Sequence, residues 1–411
     1  MSDSAIRWIM FFINPFIAMI FSFKEYKMPY AKNLFWAFCT FYGLTFTIGE
    51  ESLGSDINRY VSELSQLYQQ PFLSIQGAIE YFRYSGEIDI LSTIISYTLS
   101  RFTESQAILT MVYAFIFGYF FSRNIWYVFG LLKNKITFLS KIVLLTLILV
   151  MPIWQIGGFR MWTAFHIFMF GLLPYIFENK KSKLIFLYSS ILVHFSFMIP
   201  ISIFILYRLL GNRINLYFII FIITLLISEI NIGSLNSFIN NFLPDIIIER
   251  TSSYLIDAQI EGIQSVTLNW YAVWKTKALS WGLTIILFYL FFYGRKLIEL
   301  KPKFKRLFSI TLLMYATANI LMHIPSGGRF LNIAFFLALI MIIIYLDQFY
   351  HDFNFKQLIK YLAPVFFLFI IVTIRRGFYA TSITSVLGNP IIAIVSIGNN
   401  MSLNDLIKWV L

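Results

Sequence analysis

Two arginines in this chain each follow a Gly-Gly pair: residues 157–165 read GGFRMWTAF and residues 327–335 read GGRFLNIAF, with Arg160 and Arg329 at the openings of apolar runs. A guanidinium offers a planar fork of donors suited to phosphate oxygens, and glycines let an anion approach the partly positive start of a helix. The two therefore read as a diphosphate clamp, against the plainer alternative that each arginine reaches up to the lipid headgroups. His194, two residues before Ser196, interrupts another apolar run. An imidazole exchanges protons near neutral pH, so His194 is a candidate general base and equally a candidate hydrogen-bonded structural residue. Asp56 precedes Tyr60 by four residues, a spacing that sets a carboxylate and a phenol on one helix face. That pair either activates or orients a hydroxyl-bearing substrate, with Asp56 competing with His194 for the part of base, or forms the solvated face of a capped helix. Glu87 and Asp89 are a further acidic pair, of a kind that can hold a divalent cation.

These residues sit in a chain of 411 residues of which 59% are hydrophobic and only 13% charged, with 46 Phe. A soluble fold could not bury them, whereas a bilayer about 30 Å thick accepts apolar runs of ~20 residues one after another. Such runs lie at 5–22, 33–49, 105–131, 141–154, 159–177, 184–207, 215–231, 278–294, 307–324, 329–346 and 359–374. Each is predicted to be helical, because lipid leaves no partner for an unpaired backbone group. The expected fold is an all-α integral membrane protein of about 11 or 12 transmembrane helices, a single polytopic domain over residues 1–411. The run 5–22 lacks a basic leader and a small-residue cleavage site, so it reads as an uncleaved span.

Lys and Arg gather at 24–32, 123–141, 180–183, 208–213, 295–306 and 356–360, and these places are assigned to the cytoplasmic side. If every run crossed once, the block 295–306 would fall among the acidic segments. The run 184–207, basic at both flanks and carrying His194, Ser196 and Pro200, is therefore read as a broken helical hairpin. Its arms would reach only ~18 Å, leaving His194 in a protein-lined cavity. The extracytoplasmic parts are then 50–104, 232–277 and 375–411, with interfacial helices at 88–102 and, behind a cap at Ser402 and Asp405, in the tail.

The net charge of +12 follows from those loops, so nucleic acid is not an expected partner. A single cysteine, Cys39, lies inside an apolar run and excludes disulfides within the chain and thiolate clusters. There is no phosphate-cradling Gly-rich loop, no HExxH and no G-x-S-x-G, so ATP-driven pumping and zinc proteolysis are not expected. No metal or cofactor is called for.

The order Gly54, Asp56, Tyr60 (G-x-D-x-x-x-Y), then Phe159, Arg160, Ala164 (F-R-x-x-x-A), then His194, Ser196 (H-x-S), then Arg329, Phe330 (R-F) resembles the Wzy/EpsG-type polysaccharide polymerases of bacterial inner membranes, across about 280 residues. Met161 departs from the family, which often has glutamine after the arginine. The resemblance implies polymerisation of undecaprenyl-diphosphate-linked oligosaccharide units, for O-antigen or a related exopolysaccharide, on the periplasmic face. It also implies a chain-length-regulating co-polymerase as partner. In that setting Arg160 and Arg329 would hold the departing diphosphate, His194 or Asp56 would be the base, and Tyr60, Ser196, Tyr254 and Tyr271 would contact substrate. Trp270 reads better as an interfacial anchor. Two other readings stay open: a polyprenyl-phosphate-sugar glycosyltransferase holding a divalent ion at Glu87 and Asp89, and a flippase for lipid-linked glycans.

Overall fold

A computed structural model describes residues 3–48, 56–70, 89–227, 269–324, 326–397 and 400–410. The chain is an all-α integral membrane protein. In chain order its α-helices are α1 (Asp3–Ile13), α2 (Pro15–Lys24), α3 (Ala31–Leu44), α4 (Asp56–Gln69), α5 (Ile90–Ser100), α6 (Gln106–Leu131), α7 (Phe138–Val150), α8 (Phe159–Glu178), α9 (Leu184–Val193), α10 (Met198–Leu210), α11 (Ile214–Leu225), α12 (Trp270–Phe292), α13 (Arg295–Glu299), α14 (Pro302–Leu321), α15 (Leu331–Gln348), α16 (Phe353–Tyr361), α17 (Ala363–Gly377), α18 (Ile383–Leu387), α19 (Pro390–Val395) and α20 (Leu403–Val410).

Four helical stretches among the described residues are long and apolar enough to cross a bilayer: Gln106–Leu131, Phe138–Glu178, Trp270–Phe292 and Gly327–Gln348. A fifth is the pair α16 and α17, bent by 45°. This is fewer than the run count predicts: several runs hold helices too short to cross alone, and 141–154 and 159–177 fall in one helical stretch. The run 5–22, expected to be one span, breaks at Asn14. There the Asn14 side chain caps α2 by accepting from the Ile17 N–H at 2.9 Å, and Pro15 takes the first helical position, where a missing N–H costs nothing. The chain then folds back on itself. Arg7 donates to both carboxylate oxygens of Glu25 and lies 4.1 Å from the Phe21 ring centre. Arms of 11 and 10 residues reach about 16 Å, roughly half the hydrocarbon thickness, so α1 and α2 form a helical hairpin rather than a span. Hydrogen bonding from Arg7 holds the Glu25 carboxyl below its usual range. That contribution to stability is present above the ordinary carboxylate range and is lost as pH falls through the lowered value.

The run 184–207 is also broken, at the residue the sequence reading chose. His194 is extended (φ −152°) between α9 and a 3-10 turn, Phe195–Phe197, that leads into α10.

The chain divides into two compact units interleaved in sequence, where the sequence reading takes it as one domain: Met1–Lys133 with Met151–Ile201 and Thr373–Leu411, and Asn134–Val150 with Ser202–Val372. In the first unit α3 and α6 run antiparallel at very close range. A Cβ on Gly43 would lie 2.3 Å from that of Ala114, and one on Gly118 would lie 2.4 Å from that of Cys39. Thr110 adds a hydrogen bond to the Gly43 carbonyl at 2.7 Å. Overpacking of such a contact costs about 1–3 kcal/mol. Gly43→Ala is accordingly expected to lower the thermal unfolding midpoint of the protein in detergent, whereas Gly130→Ala, whose Cβ would meet nothing within 4 Å, leaves it unchanged.

Helix α8 lies parallel to α6, with Tyr113 stacked on Phe159 (3.9 Å, 6°) and Asn124 donating to the His166 carbonyl at 2.8 Å. The C-terminal segment returns to the end of α3: Thr45 and Ser385 share a hydroxyl hydrogen bond at 2.7 Å, and Thr47 donates to the Tyr379 carbonyl. The predicted cap of the tail helix is present, since Ser402 accepts from the Asp405 N–H at 3.0 Å.

The second unit is built on α15, buried along nearly its whole length. Phe218 of α11 stacks on Phe291 of α12 at 3.6 Å, and Asn319 of α14 donates to Thr224. Trp270, Trp274 and Trp281 are exposed along α12.

Candidate active site

Helix α4 shows why Asp56 and Tyr60 can work together. Its buried residues are Ile57, Tyr60, Leu64 and Leu67, a spacing of three and four that lays one stripe against the protein and leaves Arg59 outside. Tyr60 is buried on that stripe and packs edge-on to Tyr113 at 5.6 Å. Burial and the nearby Asp56 carboxylate push its phenol well above the ordinary value, so it stays a neutral hydroxyl.

Arg160 is the second residue of α8, next to the Phe159 ring that Tyr113 covers. It donates from Nε to the Tyr60 hydroxyl at 2.7 Å, and its Nη2 lies 3.9 Å from Asp56 Oδ1. The expected pairing of Asp56 with Tyr60 on one face is thus realised, and both residues turn toward Arg160.

Asp89 binds the group together. It immediately precedes α5, an inverted helix whose Ser92, Thr93, Ser96 and Ser100 are buried while Ile90 and Ile94 are exposed. That inversion is the pattern of a helix whose apolar face looks outward. One Asp89 oxygen, Oδ2, lies 3.0 Å from Arg160 Nη1 and 2.9 Å from His194 Nδ1. The other, Oδ1, accepts the Phe195 N–H at 2.8 Å. The side chains of Asp89, Arg160 and His194 are each less than a tenth exposed. A carboxylate can only accept, so the bond to Asp89 sets the proton of a neutral His194 on Nδ1. The opposite nitrogen, Nε2, is then the basic one, and it carries no hydrogen bond among the described residues. Arginine, aspartate and histidine in one buried line, with a phenol beside them, can orient an imidazole and take up a proton from a hydroxyl.

The structure adds to the sequence reading at three points. Arg160 does not stand bare: among the described residues Asp89, Tyr60 and Asp56 hold it. Asp89 is not an open metal ligand either, because its oxygens serve Arg160, His194 and the Phe195 N–H; its proposed companion Glu87 lies outside the described residues. Finally, one glycine of each pair is closely packed, while a Cβ at Gly328 would meet nothing within 4 Å. A Cβ at Gly327 would sit 1.9 Å from the Leu321 carbonyl oxygen, and one at Gly158 would sit 2.7 Å from Trp162 Nε1.

Ser196 does not reach the Arg160 cluster through a hydrogen bond among the described residues; its hydroxyl points to the Met161 sulfur at 3.6 Å. The position where the resembled family often has glutamine therefore keeps a weak polar contact, through a thioether. Arg329 lies in the second unit, half-buried in the 3-10 turn Gly327–Phe330 that leads into α15. Tyr271 is in the first turn of α12, also in the second unit, edge-on to Trp270 at 5.9 Å. Tyr254 lies outside the described residues. Asp89 is the residue that sequence reasoning undervalued. The signal available was an acid directly before a Ser/Thr-rich helix start.

In comparisons with known proteins, no family model, no curated protein and no solved structure matches the chain.

Proposed function

We propose that this protein is a polysaccharide polymerase of the bacterial inner membrane, of the Wzy/EpsG type. It transfers a growing glycan from its undecaprenyl diphosphate to a hydroxyl of a new lipid-linked unit, on the periplasmic face. The observation that carries the reading is the junction at Asp89, which joins Arg160 and His194 beside Tyr60. His194 takes the proton of the acceptor hydroxyl on Nε2 while Asp89 holds the imidazole in the productive tautomer. The acceptor oxygen bonds to the anomeric carbon, the bond from that carbon to the diphosphate oxygen breaks, and the diphosphate leaves with the electron pair. Arg160, held in place by Asp89, Tyr60 and Asp56, supplies positive charge for it. Asp56 and Tyr60 hold the edge of Arg160 and orient the acceptor sugar. Ser196 is assigned to the glycan path. The scheme uses no cofactor, and a chain-length-regulating co-polymerase is the expected partner.

Purified protein given its undecaprenyl-diphosphate-linked repeat unit, with EDTA and without nucleotide sugar, tests this directly. A ladder spaced by one repeat unit is the expected product. Single-sugar addition that needs a polyprenyl-phosphate sugar and Mg²⁺ or Mn²⁺ would instead place the protein among the metal-dependent glycosyltransferases. A flippase would form no new glycosidic bond, and cells lacking it would strand single units on the inner leaflet.

A further inference from the structure

On the first unit, α1, α3 and α6 border an open apolar groove of about 540 Å³, in the size range of ligand clefts. Trp8, Phe11, Trp36, Phe41 and Phe115 line it, and Pro390 meets it from α19. None of its lining residues belongs to the Asp89 cluster.

A cation stands beside the groove. Asn33, a lining residue, accepts from Arg123 Nη2 at 2.6 Å, and the Arg123 guanidinium lies 4.8 Å from the ring of Trp36 and 4.3 Å from that of Tyr119. Arg123 also donates to Ser122 and forms no ion pair with a carboxylate among the described residues. Lys32, next to Asn33 in the first turn of α3, is exposed. A hydrocarbon slot capped by a cation with no acid to neutralise it has the charge and the shape of a site for one lipid: chain in the slot, phosphate at the cap.

We propose that this groove is a binding site for an anionic glycerophospholipid, separate from the Asp89 cluster. An acyl chain lies along Phe11, Phe41 and Phe115, and the headgroup phosphate meets Arg123 and Lys32.

Native mass spectrometry and thermal unfolding of the full chain in detergent, with added phosphatidylglycerol or phosphatidylcholine, test the proposal. Phosphatidylglycerol is expected to stay bound and to raise the unfolding midpoint more than phosphatidylcholine does. Arg123→Gln should weaken phosphatidylglycerol about fivefold, the effect of one basic residue near an anionic headgroup, and leave phosphatidylcholine unchanged. Ala37→Trp, which fills the groove from a half-buried lining position, should abolish retention of both. If Arg123→Gln fails to fold, the headgroup comparison on the unaltered protein and Ala37→Trp still decide. Equal retention of the two lipids by the unaltered protein would overturn the proposal. So would retention unchanged by Ala37→Trp, or displacement of phosphatidylglycerol by an equimolar polyprenyl phosphate.

Discussion

Arg160→Ala is expected to lower glycan transfer by on the order of 10²–10³-fold, the loss typical of removing one preorganised group that stabilises developing negative charge. It should also destabilise the protein, because Asp89 would keep its buried carboxylate with, among the described residues, His194 and the Phe195 N–H as partners. Breaking a buried pair from one side costs about 3–5 kcal/mol. The two effects separate in a double variant. Arg160→Ala combined with Asp89→Asn removes the orphaned charge, so it should recover part of the lost stability and none of the activity. Thermal unfolding of the single and double variants, read beside the ladder assay, checks both. Arg160→Lys distinguishes charge from geometry. A lysine keeps the cation but cannot serve Tyr60 and Asp89 at once with a planar fork, and activity should remain well below that of the unaltered protein.

His194→Gln and Asp89→Asn should each reduce the rate by about 10²–10⁴-fold, the usual contribution of a positioned general base. The two residues form one unit through the 2.9 Å bond, so the double variant should be scarcely slower than either alone. A structural role for Asp89 predicts otherwise: Asp89→Asn would then lower stability while the rate per folded molecule stayed intact. The rate per folded molecule in His194→Gln and in Asp56→Asn assigns the base, since only removal of the base should cost the full factor. A full loss in Asp56→Asn beside a mild one in His194→Gln would move the role of base to Asp56.

Much of the architecture was legible because it rests on local patterns. Residues 57, 60, 64 and 67 of α4 show their buried stripe in the sequence, and the break at His194 follows from basic flanks and a proline in an apolar run. The hairpin of α1 and α2 was missed although its marks were present. Asn14 and Pro15 are a helix cap and a first-turn proline, and the hydropathy of their neighbours hid them. Asp89 was misjudged for a different reason. Its role is decided by His194, 105 positions away, and by Arg160, and such pairing is tertiary information. Read alone, an acid beside Glu87 looks like half of a metal site. The same limit applies to Arg160 and Tyr60, which are 100 positions apart and join only when α4 packs against the start of α8.

The most direct test of the account is to count, in the reconstituted reaction, the undecaprenyl diphosphate released for each glycosidic bond formed, in the unaltered protein and in correctly folded Arg160→Ala. The account predicts one lipid diphosphate per bond in the former and almost no release in the latter. Bond formation without release of lipid diphosphate, or undiminished release in Arg160→Ala, would contradict it.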